Sequence, residues 1–557
     1  MANEGIAMLK MLLNKRVLRL LMMKRTRKII MNLKKGNIFL SELDKYPDKD
    51  FIIYGEKRFK YRDFKERINR FNNGLLSMGL KKGDHISAMI GNSNSILEVV
   101  LGPTLTGIVT TPVNWHLKGD EIEYIVNNSE SKMFFVDEEF LDRIIPIRSR
   151  LKNLKSIIVI GDNVPDGMVS YEKFLSDSSS TDLKEITPGH GFMLYTSGTT
   201  GRPKGAHSLA LDDPTVIDPN DVADFILMMD NIVNGTDFGI TTNIHLVVGP
   251  IYHAGPLAFL TATLFHGGTV VIMRKFTPED ALKLIEKEKV STSFMPPIIL
   301  KRLIDFKDKE KYDVSSMKSV VSGAAPCPVE LKKKVIDYFG PVFYELYGST
   351  EAGFNTVLTP NDYQKKPEKL ASVGRVAPGN KMKVLDENGK VAPNRTVGDL
   401  YLSNSMVKYL DYYRDTDKTE GSFAHVDGEK YFIEGEVAYF DEDGFCYIVD
   451  RKKDMIISGG VNIYPAEIEE VIHLHKSVSD VAVIGVPDEE WGESVKAVVV
   501  LKEDDNVTAD EIIALCNEHL AGYKRPKSVE FVEEIPRHAD GKLIKRLLRE
   551  KYKSEVK

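Results

Sequence analysis

The chain has 557 residues, 42% hydrophobic and 28% charged, with a formal net charge of −6. That length suggests roughly three or four units of ordinary domain size, and the charge balance gives no reason to expect a nucleic-acid partner. Cys327, Cys446 and Cys516 stand far apart with no C-x-x-C pair. This suggests neither a zinc site nor a disulfide framework and fits free thiols in a reducing cytoplasm.

Residues 1–35 carry ten Lys or Arg and one acid, Glu4, with apolar residues interleaved. The apolar runs are too short for a signal-peptide core or a membrane span. A basic amphipathic helix here predicts weak peripheral contact with an anionic membrane. The alternative is a loose tail, or a start at Met8, Met11, Met22, Met23 or Met31.

From 35 to 190 amphipathic helices alternate with short apolar strands. Arg62–Met78 has apolar residues at helical spacing, whereas His85–Ile90, Met133–Val136 and Ser156–Ile160 read as buried strands. Residues 206–250, with their D-D-P, D-P-N-D and N-G-T-D clusters, read as a loop-rich insertion. The α/β pattern resumes at 256 and runs to about 360. A β-rich stretch follows from about 370 to 450. Beyond Asp450 a compact α+β unit is expected: a helix from Ala466 to about His475, strands Val481–Gly485 and Val495–Leu501, and a helix from about Ala509. The fold class is therefore α/β. A large N-terminal domain of layered α/β subdomains and a β-rich subdomain spans 36–450. Residues 451–453 join it to a small α+β domain at 454–557.

One segment carries chemistry on its face. Tyr195 to Gly205 reads Y-T-S-G-T-T-G-R-P-K-G, led in by the apolar Phe192-Met193-Leu194, expected as a strand. Small residues let backbone N–H groups turn inward around an anion, hydroxyls add donors and Lys204 adds a mobile positive charge. That is a polyphosphate grip. It is not a Walker A loop, because Gly205 follows the lysine where Ser or Thr would be required.

This loop resembles the signature loop of the adenylate-forming superfamily, which includes acyl-CoA synthetases, luciferases and the adenylation domains of peptide synthetases. The resemblance implies that Thr196, Ser197, Gly198, Thr199, Thr200 and Lys204 bind ATP. Further along, Tyr344 to Gly353 (Y-E-L-Y-G-S-T-E-A-G) has the family's Y-G-x-T-E pattern. Tyr347, Gly348 and Ser349 would lie at the nucleotide, Thr350 at the α-phosphate, and Glu351 would hold Mg²⁺, a cation that prefers hard oxygen ligands. Ser322 to Pro326 (S-G-A-A-P) is similar to the segment lying against adenine, which implicates Gly323, Ala324 and Ala325. Pro250 to Gly255 looks like the P-x-x-H-x-x-G-type segment. His253 is then either a group between the acid pocket and the thiol channel or a structural histidine.

Two further stretches extend the match. Glu434-Gly435-Glu436 stands where the family has G-D, so Glu436 takes the place of the ribose-holding aspartate with one more methylene. Asp450 to Glu469 (D-R-K-K-D-M-I-I-S-G-G-V-N-I-Y-P-A-E-I-E) puts Arg451 at the ribose and phosphate, Lys453 at the hinge, and Ser458, Gly459 and Gly460 along the pantetheine tunnel, with Trp491 resembling a coenzyme A contact. Near the C-terminus, I-P-R-H-A-D-G-K-L places Lys542 as the family's catalytic lysine.

What the resemblance implies is an ATP-dependent acyl-CoA synthetase with a mobile C-terminal domain. A carboxylate attacks the α-phosphate and expels pyrophosphate, and the thiol of coenzyme A then displaces AMP. The apolar segment Phe294–Leu300, with Ala254 and Ala258 nearby, together with Pro112-Val-Asn-Trp115 and I-I-S-G-G-V-N-I-Y-P, most resembles medium- to long-chain fatty-acid, or bile- or steroid-acid, CoA ligases, which implies a fatty acid or another bulky hydrophobic acid. An aryl acid, or a non-catalytic sensor of ATP or acyl ligands on the same fold, is the alternative.

Overall fold

The computed structural model describes residues 43–187, 191–196, 203–208, 243–459, 461–503, 505–537 and 541–553. The basic segment 1–35, residues 209–242 of the expected insertion, and Ser197, Gly198, Thr199, Thr200 and Gly460 lie outside them.

Two parallel sheets form the body of the N-terminal domain. The first is five-stranded, in the order Val109–Pro112, His85–Met89, Met133–Asp137, Ser156–Ile160, Val169–Ser170, all parallel. The second is nine-stranded, in the order Arg375–Val376, Gly353–Leu358, Phe343–Ser349, Ser319–Ser322, Thr292–Phe294, Ile244–Val247, Thr269–Ile272, Asp50–Tyr54, Lys57–Lys60. It is parallel except at its two edges. Strands buried on both faces read as unbroken apolar runs, as in M-F-F-V and S-I-I-V-I.

The helices between the sheets follow from spacing. Tyr61–Ser77 buries Tyr61, Phe64, Ile68, Phe71 and Leu75 on one stripe. Asn94–Leu101 is apolar nearly all round and almost wholly buried. One hydrophobic core runs through these helices and Ala254–Phe265 and joins both sheets. A polar joint fixes their relative placement. Asp137 accepts from Gly91 N at 2.8 Å and Arg274 Nη2 at 2.6 Å, while Asn92 donates to Gly249 O and accepts from Ile251 N.

A β-rich unit follows, in which Lys381–Leu385, Gly398–Ser403, Glu429–Phe440 and Phe423–Val426 pair in that order and Cys446–Arg451 also lies on Glu429–Phe440. The C-terminal sheet comprises Val461–Ile463, Ile456–Ser458, Gly492–Leu501 and Val478–Asp488, with Ser528–Phe531 parallel to Gly492–Leu501. Pro465–Ile472 and Ala509–His519 pack on it through Ile468, Ile472, Ile512 and Cys516. All three cysteines are free and buried.

Three sequence expectations shift. The strand at the signature loop is Leu194–Thr196, so Tyr195 and Thr196 belong to it, while Phe192 makes only a bridge to Thr110. The far end of the loop is also a strand, Lys204–Ser208. It pairs with Leu194–Thr196 on one side and Leu410–Tyr412 on the other in a three-stranded antiparallel sheet. The expected insertion is accordingly narrower than 206–250, because Ile244–Val247 lies inside the nine-stranded sheet. Its polar look at 206–208 misleads because partners on both sides, not side-chain pattern, make that strand.

Candidate active site

The small three-stranded sheet presents both ends of the signature loop to the hairpin at 343–358. Thr350 and Glu351 lie in the turn between Phe343–Ser349 and Gly353–Leu358. A Thr-Glu pair commonly opens a helix; here tight antiparallel pairing of Ser349 with Gly353 makes it a turn. Within that turn Ser349 Oγ accepts from Ala352 N at 3.1 Å. Thr196 Oγ1 and Tyr412 OH each donate to Glu351 Oε1 at 3.0 Å. Lys204 Nζ is paired with Asp415. Their hydrogen bond raises the lysine's pKa and lowers the carboxyl's.

A second cluster lies on the β-rich unit. Glu436 and Arg451 are directly paired across strands Glu429–Phe440 and Cys446–Arg451. Arg451 Nε is 3.6 Å from Glu436 Oε1, and Tyr347 OH donates to the same carboxylate. Burial, and next the Glu436 charge, hold the Tyr347 phenol well above its usual range. Glu434 lies two residues before Glu436 on the same strand, with Oε2 buried and without a hydrogen-bond partner. Burial first, then the charges of Glu436 and Glu351, raise its pKa well above the carboxylate range. Sequence reasoning noted Glu434 only as a neighbour and missed Tyr412 and Asp415. The i, i+2 spacing of Glu434 and Glu436 is a signal that could have flagged the pair; nothing local marks the other two.

Gly323, Ala324 and Ala325 follow strand Ser319–Ser322, which is paired in parallel with Phe343–Ser349, so the small-residue loop and Tyr347 share one edge of the site. Ala324 has φ +69°, the left-handed region. His253 immediately precedes helix Ala254–Phe265, its ring 4.3 Å from that of Tyr252, which packs edge-on against Trp115 at 4.6 Å. Behind it Phe259, on the same helix, stacks on Phe294 at 5.2 Å and lies 5.6 Å from Phe354. With Val321 and Leu346 these rings form an apolar cluster.

The C-terminal domain meets the helix Pro297–Ile304 at the loop that precedes Lys542 and again at Ser479. Gly541, just before Lys542, has φ +87°, and a Cβ there would stand 2.6 Å from Ile298 Cγ2. The lysine loop is therefore seated on the Phe294–Leu300 segment. Lys301 Nζ also donates to Ser479 Oγ at 3.3 Å. Lys545, buried, pairs with Glu469 at 2.8 Å, and Arg549 pairs with Asp454 at 2.5 Å. Lys453 sits in the short turn Lys452–Asp454 directly after strand Cys446–Arg451 ends. Burial, then Arg451, lowers its pKa. Ser458 pairs with Gly492 across the C-terminal sheet. Gly459 N donates to Trp491 O at 2.8 Å, and a Cβ on Gly459 would meet the Trp491 ring at 2.5 Å. Ile457, Val461 and Trp491 are 51%, 43% and 44% exposed, so this edge is open while the lysine loop is seated.

The profile of the AMP-binding enzyme family matches residues 39–409, and that of the AMP-binding enzyme C-terminal domain matches residues 467–542. The chain belongs to this family. It is 31% identical to a feruloyl-CoA synthase of Amycolatopsis sp, over 91% of this chain and 96% of that one. It is 29% identical to the medium/long-chain-fatty-acid–CoA ligase FadD8 of Mycobacterium tuberculosis, over 93% and 90%. The crystal structure of ATP-bound MatB from Rhodopseudomonas palustris superimposes with a TM-score of 0.80 at 29% identity, covering 94% of this chain and all of that one. Within the family the chain is an ATP-dependent, AMP-forming acid–thiol ligase of the acyl-CoA synthetase branch. No helix among the described residues is long and apolar enough to cross a membrane.

Proposed function

We propose that this ligase activates a medium- or long-chain fatty acid, or another bulky hydrophobic acid, as its adenylate and passes the acyl group to coenzyme A. The observation that carries the reading is the convergence, around one hairpin turn, of the charged and hydroxyl groups that a nucleotide requires. Thr196, Ser197, Gly198, Thr199, Thr200 and Lys204 grip the polyphosphate. Gly323, Ala324, Ala325, Tyr347, Gly348 and Ser349 hold the base and sugar side, and Glu436 and Arg451 hold the ribose.

The donor set at Glu351 fits Mg²⁺: one carboxylate beside the Thr196 hydroxyl suits an ion carried mainly by phosphate oxygens. Bound there, the ion would withdraw charge from those oxygens.

Thr350 faces the α-phosphate, where oxygen attack builds negative charge. Lys542 neutralises that charge from the C-terminal domain. The seating of the preceding residue, Gly541, on Ile298 within the apolar segment Phe294–Leu300 supports this role. Residues 451–453 act as the hinge between domains at 36–450 and 454–557, with Lys453 at the pivot. Rotation about it withdraws Lys542 and presents Ser458, Gly459, Gly460 and Trp491 to coenzyme A, with His253 at the mouth of the thiol channel.

The fatty-acid reading is supported by the apolar segment Phe294–Leu300 and by the name of the mycobacterial relative. A second reading, an aryl acid, is favoured by the stacked Phe259–Phe294 rings and by the feruloyl relative. ATP–pyrophosphate exchange with a graded panel of fatty and aryl acids ranks the two. Exchange with none of them would sink the adenylation role in favour of a sensor. Lys542→Ala should abolish exchange yet largely spare thioester formation from synthetic acyl-adenylate; equal loss of both removes the lysine from adenylation. A cytoplasmic setting with weak membrane contact through residues 1–35 is part of the proposal, supported by ten basic residues against one acid. Flotation with anionic vesicles, with and without that segment, tests it.

A further inference from the structure

The lysine of the phosphate grip has a carboxylate partner, and that partner belongs to a run of residues that also holds Glu351. Strand Leu410–Tyr412 pairs with Lys204–Ser208, Tyr412 lying opposite Ala206. Tyr413 N continues the ladder to Gly205 O at 2.8 Å. The chain then turns at Arg414, whose φ of +60° is strained for a residue with a side chain. Two contacts to the end of helix Gly119–Asn128 keep that turn in place: Arg414 Nη1 to Glu130 at 2.8 Å and Tyr413 OH to Glu130 at 3.2 Å. The turn aims Asp415 back at the loop.

Asp415 uses its two oxygens separately. Oδ1 accepts Lys418 N at 3.1 Å and caps helix Thr416–Gly421, while Oδ2 takes Lys204 Nζ. Three residues earlier, Tyr412 OH holds Glu351. One short run thus occupies both the cation and the carboxylate that face the polyphosphate.

We infer that Asp415 is a positioning residue that holds Lys204 in the nucleotide-free enzyme and competes with the β- and γ-phosphates for it. This rests on Lys204 being part of the phosphate grip. ATP must draw the lysine from Asp415 to bind fully. Once adenylation has converted the terminal phosphates to pyrophosphate, Asp415 retakes the lysine and loosens the leaving product. AMP, which has no β- or γ-phosphate, does not feel the competition. A partly exposed ion pair of this kind is worth up to about fivefold in an equilibrium constant.

The test measures the inhibition constant of pyrophosphate, the KM for ATP and the dissociation constant of AMP on the full-length enzyme. Asp415→Asn keeps a good helix cap, so its fold should survive. It is expected to lower the pyrophosphate constant and the ATP KM about fivefold, with AMP affinity unchanged. Asp415→Glu should return both toward wild type. In a Lys204→Met background, Asp415→Asn should change neither. An unaltered pyrophosphate constant, or an equal change in ATP and AMP binding, overturns the inference. If Lys204→Met by itself leaves the ATP KM untouched, the phosphate grip is wrong, a separate failure that the single lysine variant exposes. If Asp415→Asn does not fold, Asp415→Ser, which also caps a helix, carries the same comparison: the pyrophosphate constant must fall, and an unaltered constant overturns the inference.

Discussion

Gly541→Ala offers a sharp probe of how the C-terminal domain delivers Lys542. Two costs arise. An L-residue at φ +87° is strained by about 1–2 kcal/mol. The new methyl would also stand 2.6 Å from Ile298 Cγ2, and overpacking of that kind typically costs about 1–3 kcal/mol. The first cost belongs to the loop wherever it lies. The second exists only while the loop sits on helix Pro297–Ile304, so under the proposed domain alternation it penalises the adenylating arrangement selectively. At about 2 kcal/mol it should slow adenylation roughly 30-fold. Thioester formation from synthetic acyl-adenylate, assigned by the same proposal to the other edge of the domain, should stay within about twofold of wild type. Ile298→Ala opens the space and should restore most of the lost exchange rate in the double variant, whose coupling isolates the contact. Equal losses in both half-reactions, or no rescue by Ile298→Ala, would refute the reasoning.

Glu436→Gln keeps the size of the side chain and removes its charge. Because a charged acceptor is worth about 1 kcal/mol more than a neutral one, the ATP KM should rise about fivefold, and an unchanged KM removes Glu436 from the site. Trp491→Ala removes the ring that backs Gly459, so the coenzyme A KM should rise about tenfold with ATP–pyrophosphate exchange unaltered; a drop in exchange would place Trp491 elsewhere in the cycle. His85 gives a pH signature. Burial first, and then the nearby His207 imidazole, push its pKa down to about 4, and Nδ1 is buried without a hydrogen-bond partner. Between that value and the unfolded value near 6.5 the unfolded chain binds more protons, so stability falls as pH is lowered through this window. Urea midpoints should drop by the equivalent of about 2 kcal/mol between pH 7 and pH 4.5, and His85→Leu should flatten the drop. An equally steep profile in the variant assigns it to other groups.

The parts of the site that were legible in the sequence are those written in contiguous residues. The motifs at 195–205, at 347–351 and from Asp450 each lie within a short span of sequence, and the turn at 350–352 follows from the local pairing of Ser349 with Gly353. The parallel strands were equally plain, because a strand covered on both faces has to be apolar throughout. What stayed hidden depends on distant pairing. Lys204–Ser208 (K-G-A-H-S) has no strand pattern and becomes one only because Leu194–Thr196 and Leu410–Tyr412 flank it. Asp415 meets Lys204 for the same reason, across 211 positions of sequence. Glu434 was visible as a residue, but its buried, partnerless oxygen depends on how strands Glu429–Phe440 and Phe343–Ser349 face one another.

The strand at 410–412 also bears on how the chain is made. Synthesis runs from the N-terminus, and domains generally fold as they emerge. Both ends of the phosphate loop are complete by residue 208, yet the third strand of their sheet, the tyrosine on Glu351 and the carboxylate on Lys204 arrive only with residues 410–415. A nascent chain cut before that point has the loop without the frame that holds it. Nucleotide binding should therefore appear late in translation and abruptly, so that incomplete chains do not sequester ATP.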